Sequence, residues 1–376
     1  MISTSKNMLV LFVGGGTGGH FYPLISIAEA LNTAPQKPLL YYAGPDSYDS
    51  DALKKEGITF IKISAGKQRR YTSILNFFDI FKVLFGFLVA IVKLYILYPD
   101  VVMSKGGYTS VPVVLAASFL RIPIIIHESD AVAGKANILA SKFAQDIITN
   151  YDSVHFGRND FKIHQLGIPV RASLFSDISP EAYTRLGVDQ SRPIILILGG
   201  SQGAERVNTL ILDALDELLP DFTVIHQTGK LNYELCKLSA ENLISDETQH
   251  AHYHPFPFLQ ETALNDAYHI AHIIISRAGS NSIYEIALHG KPSILIPIPE
   301  EISHDQRTNA YAYARYGAAT VMEEKNLTDG LLRAEIDRIM QDPSLYEQMS
   351  ESARTFGKRD TAEKIKDLIL NIAEKH

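Results

Sequence analysis

The chain has 376 residues, enough for two domains with full cores, and 46% of them are hydrophobic, which excludes a disordered chain. Net charge is −7 but uneven: residues 1–170 carry 16 Lys and Arg against 12 Asp and Glu, whereas the remainder carries 19 against 30. The acidic second half argues against nucleic acid as a partner, the basic first half suits something anionic or simply uneven solvated faces, and the single cysteine, Cys236, excludes an internal disulfide and fits a reducing compartment.

Met1–Asn7 runs directly into an apolar stretch, which leaves no signal-peptide pattern. Strands are predicted at Met8–Val13, Leu39–Ala43, Ile58–Ile63, Val101–Met103, Ile122–Ile126 and Asp146–Thr149. A second series follows at Pro193–Leu198, Phe222–Gln227, His272–Ser276 and Ser293–Ile296. These runs are nearly continuous in Val, Ile and Leu, the mark of strands covered on both faces in a parallel sheet. Alternation with helical stretches gives the α/β class. The opening strand, glycine loop and helix recur at 194–208, so two doubly wound domains are expected, with a boundary near 167–171 and ligand at the carboxyl ends of the sheets.

The first glycine loop, "GGGTGGH" at 14–20, places five glycines in six positions and closes on His20. Missing side chains let a ligand reach backbone amides where a helix begins and its dipole is positive. Gly14, Gly16 and Gly19 satisfy G-x-G-x-x-G, but the second predicted strand ends in Ala43-Gly44 without the acidic residue of a dinucleotide site. A tight turn without ligand is the plain alternative. A histidine at a helix start is kept neutral by the dipole and suits a general base, or else is merely a satisfied helix-start residue. Further along, "ISRAGSNSIYEIALHG" again reads strand, turn, helix, with Glu285 on the first turns. That carboxylate fits two sugar hydroxyls, or a solvated helix face. Asp305 and Gln306 start another helix, as caps or as sugar contacts. Asp49-Ser50-Asp51 sits in a polar turn and reads poorly as a metal-binding D-x-D. "HAHYH" at 250–254 reads as a strand with histidines on one face, more readily structural than metal-binding.

Residues 69–100 are strongly apolar, but Asp79, Lys82 and Lys93 interrupt them, and the longest uncharged run is ten residues. That is too short to cross a bilayer. Part must be a buried crossover helix. Phe77, Phe78, Phe81, Leu84, Phe85 and Leu88 are more apolar surface than a crossover hides, and Lys67, Arg69 and Arg70 stand beside them. The combination suits an interfacial helix on an anionic leaflet.

GGGTGGH, KGGYTSVP (105–112), HESDAVAGKAN (127–137), GIPVR (167–171), GGSQGA (199–204), SRAGSNSIYE (276–285) and DQRTNA (305–310) occur in this order. The set resembles the MurG family of N-acetylglucosaminyltransferases over nearly the whole chain. The resemblance implies the GT-B fold, two Rossmann-like doubly wound parallel-sheet domains facing a central cleft: 1–168 for the acceptor and membrane, 169–360 for UDP-GlcNAc, and a C-terminal helix, 361–376, returning to the first domain. It implies inverting transfer of GlcNAc from UDP-GlcNAc to the 4-hydroxyl of MurNAc in lipid I, with no cofactor and no metal. It also implies residence on the cytoplasmic face of the bacterial membrane and association with other cell-wall synthesis or division proteins.

His20 matches the motif histidine that activates the acceptor. Gly16, Gly19, Tyr108, Glu128 and Asp130 match acceptor-binding positions. Thr17 and Gly18, in the loop facing the acceptor pyrophosphate, are grouped with the donor contacts. Arg171, Ser201 and Gln202 fall near the donor diphosphate, and Leu259 where backbone reads uracil. Ser280, Asn281 and Ser282 fall at the helix start, Glu285 on the ribose, and Asp305 and Gln306 near GlcNAc. The chain departs from many members at Ser129-Asp130, where they carry Gln-Asn. Two other readings compete: an NAD-linked oxidoreductase, and a non-catalytic sugar-nucleotide-binding subunit of a membrane enzyme.

Overall fold

A computed structural model describes residues 8–65, 74–157, 162–199, 204–301 and 304–376. The chain divides into two compact units, Met1–Arg171 with Arg359–His376, and Ala172–Lys358. The N-terminal unit carries strands β1 (Leu9–Gly14), β2 (Leu39–Gly44), β3 (Thr59–Lys62), β4 (Val101–Gly106), β5 (Ile124–Glu128), β6 (Asp146–Thr149) and β7 (Lys162–Gln165). Their spatial order is β3-β2-β1-β4-β5-β6-β7, parallel throughout. The C-terminal unit carries β8 (Ile194–Leu198), β9 (Thr223–Gln227), β10 (Tyr253–Phe256), β11 (Ile273–Ser276), β12 (Ser293–Leu295) and β13 (Ala319–Val321). Their order is β10-β9-β8-β11-β12-β13, again parallel. Strand order reverses between β1 and β4 in one sheet and between β8 and β11 in the other, the two places where doubly wound sheets take ligands.

The central strands are those whose apolar runs were continuous, and β1, β4, β5, β6, β8 and β11 are buried at every residue. The two strands absent from the predicted set, β7 and β13, lie at sheet edges, and β10, also at an edge, overlaps the expected 250–254 strand only at Tyr253 and His254. An edge strand is covered less, so β7 reads Lys-Ile-His-Gln and is mostly exposed. The histidine-rich stretch is also corrected: Glu247–His252 forms a 3₁₀ turn and the strand starts at Tyr253. His250, His252 and His254 therefore do not alternate along one strand. Asp49 caps the helix Ser50–Lys55, accepting from the amides of Asp51 (3.1 Å) and Ala52 (3.0 Å).

Helix α1 (Gly18–Leu31) follows β1 and packs its Phe21, Leu24 and Ile27 into a core shared with Val10 and Phe12 of β1. The C-terminal helix Thr361–Ala373 buries Ile365, Ile369 and Ile372 in the same core, and its Thr361 hydroxyl donates to the Leu166 carbonyl at 2.7 Å. The long apolar segment forms the helix Ile74–Leu97, which lies on the helix Val111–Phe119. Its inner face carries Gly86, Ala90 and Leu94, all buried. Its outer face carries Phe81, Leu84, Phe85, Leu88, Val92, Tyr95 and Ile96, each more than half exposed. These fall at spacings of three and four, one continuous stripe. Among the described residues no helix is long and apolar enough to cross a membrane. Gly86 sets how close this helix approaches the chain just after β3: a Cβ there would fall 1.9 Å from the Ser64 carbonyl oxygen. Gly86→Ala is therefore expected to cost about 1–3 kcal/mol through backbone displacement, read as a lower urea midpoint.

Candidate active site

In the N-terminal unit, two glycine turns leave β1 and β4 side by side. The β1–β4 register slips after Val13, so Gly14 pairs with Gly106. A Cβ on Gly14 would stand 2.7 Å from the Lys105 Cβ, so only glycine lets the two strand ends pass this closely. The chain then turns through Gly16 and Thr17 into α1, placing His20 in the first helical turn, its amide bonded to the Thr17 carbonyl at 3.2 Å. The Thr17 hydroxyl lies 2.7 Å from His20 Nδ1 and fixes the ring. Opposite stands Gly107, with φ of +75°; a Cβ there would lie 3.8 Å from His20 Nε2 and 3.1 Å from the Gly15 carbonyl. Glycine at 107 thus places no side chain against that edge of the ring. Tyr108 lies against Gly16, where a Cβ would meet its ring at 3.0 Å.

His20 is half-buried, and desolvation lowers its pKa to about 4, assisted by Lys105 and opposed by Asp130. It is a neutral imidazole at pH 7. Lys105, at the end of β4, is almost wholly buried and donates to the Ser129 hydroxyl. Burial lowers its pKa to about 8, while Glu128 and Asp130 hold it up. Burial, then the Asp130 carboxylate, raises the pKa of Glu128. Glu128 is turned inward: its Oε1 accepts from the Asp130 amide (3.1 Å), its Oε2 from the Gly134 amide and Asn137 Nδ2 (both 2.9 Å). It shapes the 128–137 turn rather than reaching outward. Asp130, half-buried at the start of that turn, faces the same group of charges. His127 is buried, kept neutral by desolvation, and its Nε2–H donates to the Gly167 carbonyl at 2.8 Å. Arg171, the last residue of this unit's main stretch, lays its guanidinium 4.3 Å above the Tyr22 ring of α1. Tyr22 in turn donates to Asp49 at 3.2 Å.

In the C-terminal unit, β11 passes through Arg277, Ala278 and Gly279 into the helix Ser280–Leu288, so Ser280, Asn281 and Ser282 form its first turn. First-turn amides have no partner inside their helix. Glu285 lies one turn on and accepts from the buried Tyr268 hydroxyl at 3.0 Å. Tyr268 stacks on His289, whose Nδ1–H donates to the Glu285 carbonyl at 2.9 Å. The Leu259 amide donates to the buried Gln227 side chain at 2.9 Å. Gln306 Oε1 accepts from the Ile298 amide at 3.3 Å, tying the helix His304–Arg315, which also carries Asp305, to the loop after β12. Ser201 and Gln202 lie outside the described residues, as do Lys67, Arg69 and Arg70.

The structure thus gathers His20, Gly16, Thr17, Gly18, Gly19, Tyr108, Glu128 and Asp130 at one sheet's reversal point. Ser280, Asn281, Ser282 and Glu285 gather at the other's. Sequence reasoning passed over Lys105, Asn137 and Tyr268. A lysine closing the buried strand "VVMSKG" was the available signal for Lys105; no spacing pointed to Tyr268.

Two all-parallel sheets, each with glycine turns and helix starts at its reversal point, define the GT-B architecture of glycosyltransferases. The glycosyltransferase family 28 N-terminal domain matches residues 10–149, and the family 28 C-terminal domain matches 194–365. A protein of Treponema pallidum, 37% identical over 86% of this chain and 85% of its own, is named UDP-N-acetylglucosamine--N-acetylmuramyl-(pentapeptide) pyrophosphoryl-undecaprenol N-acetylglucosamine transferase. A Treponema denticola protein of the same name is 34% identical over 92% of this chain and 90% of its own. The crystal structure of Acinetobacter baumannii MurG, 25% identical, superposes with a TM-score of 0.77 over 97% of this chain and all of that one. The chain belongs to glycosyltransferase family 28, and within it to the MurG type. This sets aside the oxidoreductase reading; the G-x-G-x-x-G match was a by-product of the glycine turn.

Asn137 donates to both the His127 carbonyl (3.1 Å) and Glu128 Oε2 (2.9 Å). Asn137→Leu leaves the buried carboxylate short of a donor and is expected to cost about 1–3 kcal/mol, measured by chemical denaturation.

Proposed function

We propose that this chain transfers GlcNAc from UDP-GlcNAc to the C4 hydroxyl of MurNAc in lipid I, acting as an enzyme rather than a binding subunit. The relatives' names supply the substrates. The observation that carries catalysis is His20: a neutral imidazole in the first turn of α1, held by Thr17 at Nδ1 and with a glycine, Gly107, rather than a side chain opposite Nε2. With Nδ1–H donated to Thr17, Nε2 holds the lone pair that takes a proton.

The acceptor oxygen attacks the anomeric carbon as its proton passes to His20 Nε2. The bond from that carbon to the diphosphate oxygen breaks, and UDP leaves with the electron pair. Attack opposite the leaving group inverts the centre and requires no covalent sugar–enzyme intermediate. Acceptor contacts come from Gly16, Gly19, Tyr108 and Asp130, with Glu128 holding the turn that presents Asp130. On the donor, Glu285 accepts the ribose hydroxyls while Tyr268 orients it, Leu259 backbone meets uracil, and Asp305 and Gln306 meet GlcNAc. The charge developing on the diphosphate is met by the first-turn amides of the helix Ser280–Leu288, an arrangement that works without a metal.

The apolar stripe of the helix Ile74–Leu97 supports peripheral docking on the cytoplasmic leaflet, where a lipid-linked acceptor resides. Phe85→Glu with Ile96→Glu is expected to abolish flotation with anionic vesicles while leaving transfer to a short-chain, soluble lipid I analogue unchanged; undiminished flotation contradicts the docking.

The direct test is UDP release with a lipid I analogue. His20→Ala should abolish turnover and leave UDP-GlcNAc affinity unchanged. Glu285→Ala should weaken donor binding by about 1.5–3 kcal/mol. Normal turnover by the His20 variant assigns the base elsewhere. Because a base must be unprotonated, activity falls as pH drops through its pKa; the limb belonging to His20 is expected near pH 4, not at the ordinary value of about 6.5.

A further inference from the structure

One buried carboxylate reaches arginines beside both helix starts at the reversal point of the C-terminal sheet. Glu324 opens the 3₁₀ turn Glu324–Asn326 just after β13, and its side chain is 3% exposed. Its Oε1 pairs with Arg277 Nη2, and its Oε2 lies 3.4 Å from Arg206 Nη1. The two arginines are held very differently. Arg206, in the first turn of the helix Glu205–Asp213 that follows β8, is 72% exposed, so water screens its contact. Arg277, just past β11, is 13% exposed. Its Nη1 donates to the carbonyls of Ile296 (3.2 Å) and Pro297 (3.4 Å) in the loop after β12. One planar guanidinium therefore joins the chain just past β11, β12 and β13.

Two parts of that join border the donor groups. Arg277 stands two residues before Gly279, the cap of the helix Ser280–Leu288 whose first-turn amides meet the diphosphate. Ile298, the residue after Pro297, gives its amide to Gln306, assigned to GlcNAc. A buried arginine needs a counter-charge, and Glu324 supplies it. We propose that Glu324 is a positioning residue for the sugar-diphosphate half of the donor. Through Arg277 it holds the turn that meets the diphosphate and the loop bonded to Gln306 at one fixed spacing. This rests on the donor reading of the C-terminal unit given above. Uridine has other supports: Tyr268 holds Glu285, and Gln227 holds the Leu259 amide.

The test is calorimetric titration of the full chain with UDP-GlcNAc and with UMP, which lacks the sugar and the second phosphate. Glu324→Gln should weaken UDP-GlcNAc about tenfold and UMP less than about twofold, because misplacement falls on the sugar-diphosphate alone. In steady-state transfer, KM for UDP-GlcNAc should rise while KM for a lipid I analogue stays unchanged. A merely structural role would lower the urea midpoint and leave the ratio of the two affinities at its wild-type value, so an unchanged ratio overturns the proposal. Arg277→Met should show the same split, and Glu324→Gln added to it should cost less than about a further twofold, since the carboxylate acts through the arginine. Losses that multiply overturn that route. Arg206→Ala should change either affinity less than about twofold, as expected of an exposed pair; a tenfold loss there moves the anchor to Arg206 and contradicts the proposal. Should Glu324→Gln fail to fold, Glu324→Asp, which keeps the charge and shortens the reach, should still show a split of about threefold or more; no split there overturns the positioning. A wild-type chain that binds neither ligand removes the donor reading itself, whereas wild-type binding without a split in the variants overturns this inference alone.

Discussion

The N-terminal site depends on β1 lying directly beside β4. That pairing reverses the strand order, opens the sheet's carboxyl edge, and brings together two turns that are far apart in sequence, 14–17 and 106–110. Only because Gly14 and Gly106 face each other can the β1 turn hand the chain to α1 so abruptly. His20 then lands in the first turn against Gly107, instead of out on the helix face. The C-terminal unit repeats the scheme with β8 beside β11, and so presents the start of the helix Ser280–Leu288.

Electrostatics completes what topology begins. A half-buried histidine beside a buried cation has no reason to be charged, and its neutrality follows from desolvation first and Lys105 second. Glu128 would be a costly burial alone, yet two backbone amides and Asn137 meet its oxygens. The carboxylate becomes the scaffold of the turn that carries Asp130. In the other unit, Tyr268 does for Glu285 what Asn137 does for Glu128: a buried donor fixes a carboxylate in one orientation. The Ile74–Leu97 helix adds an outward apolar stripe to the N-terminal unit, on the side away from Gly86 and Ala90.

The central strands were legible because burial on both faces leaves a continuous apolar run, and the glycine turn after β1 was legible because such geometry excludes most other residues. β7 and β13 were not, and β10 only at its first two residues, since an edge strand carries mixed residues that no periodicity separates from loop. His20 and Glu285 could be named from their motifs. Their supports could not: the approach of Lys105 to Ser129, and of Tyr268 to Glu285, joins residues 24 and 17 positions apart through tertiary packing alone. Glu128 was named from its motif as an acceptor contact, but that its carboxylate turns inward was decided by the backbone of 130–134, which sequence patterns do not report.

The central claim is that each substrate occupies the reversal point of its own sheet, the sugar nucleotide in the C-terminal unit and the lipid-linked acceptor in the N-terminal one. Hydrogen exchange of the full chain with each ligand added separately tests it most directly. UDP-GlcNAc should protect amides at 277–285 and around 259, and a lipid I analogue those at 14–20 and 106–110. Protection of 14–20 by UDP-GlcNAc, with 277–285 unaffected, would contradict the account.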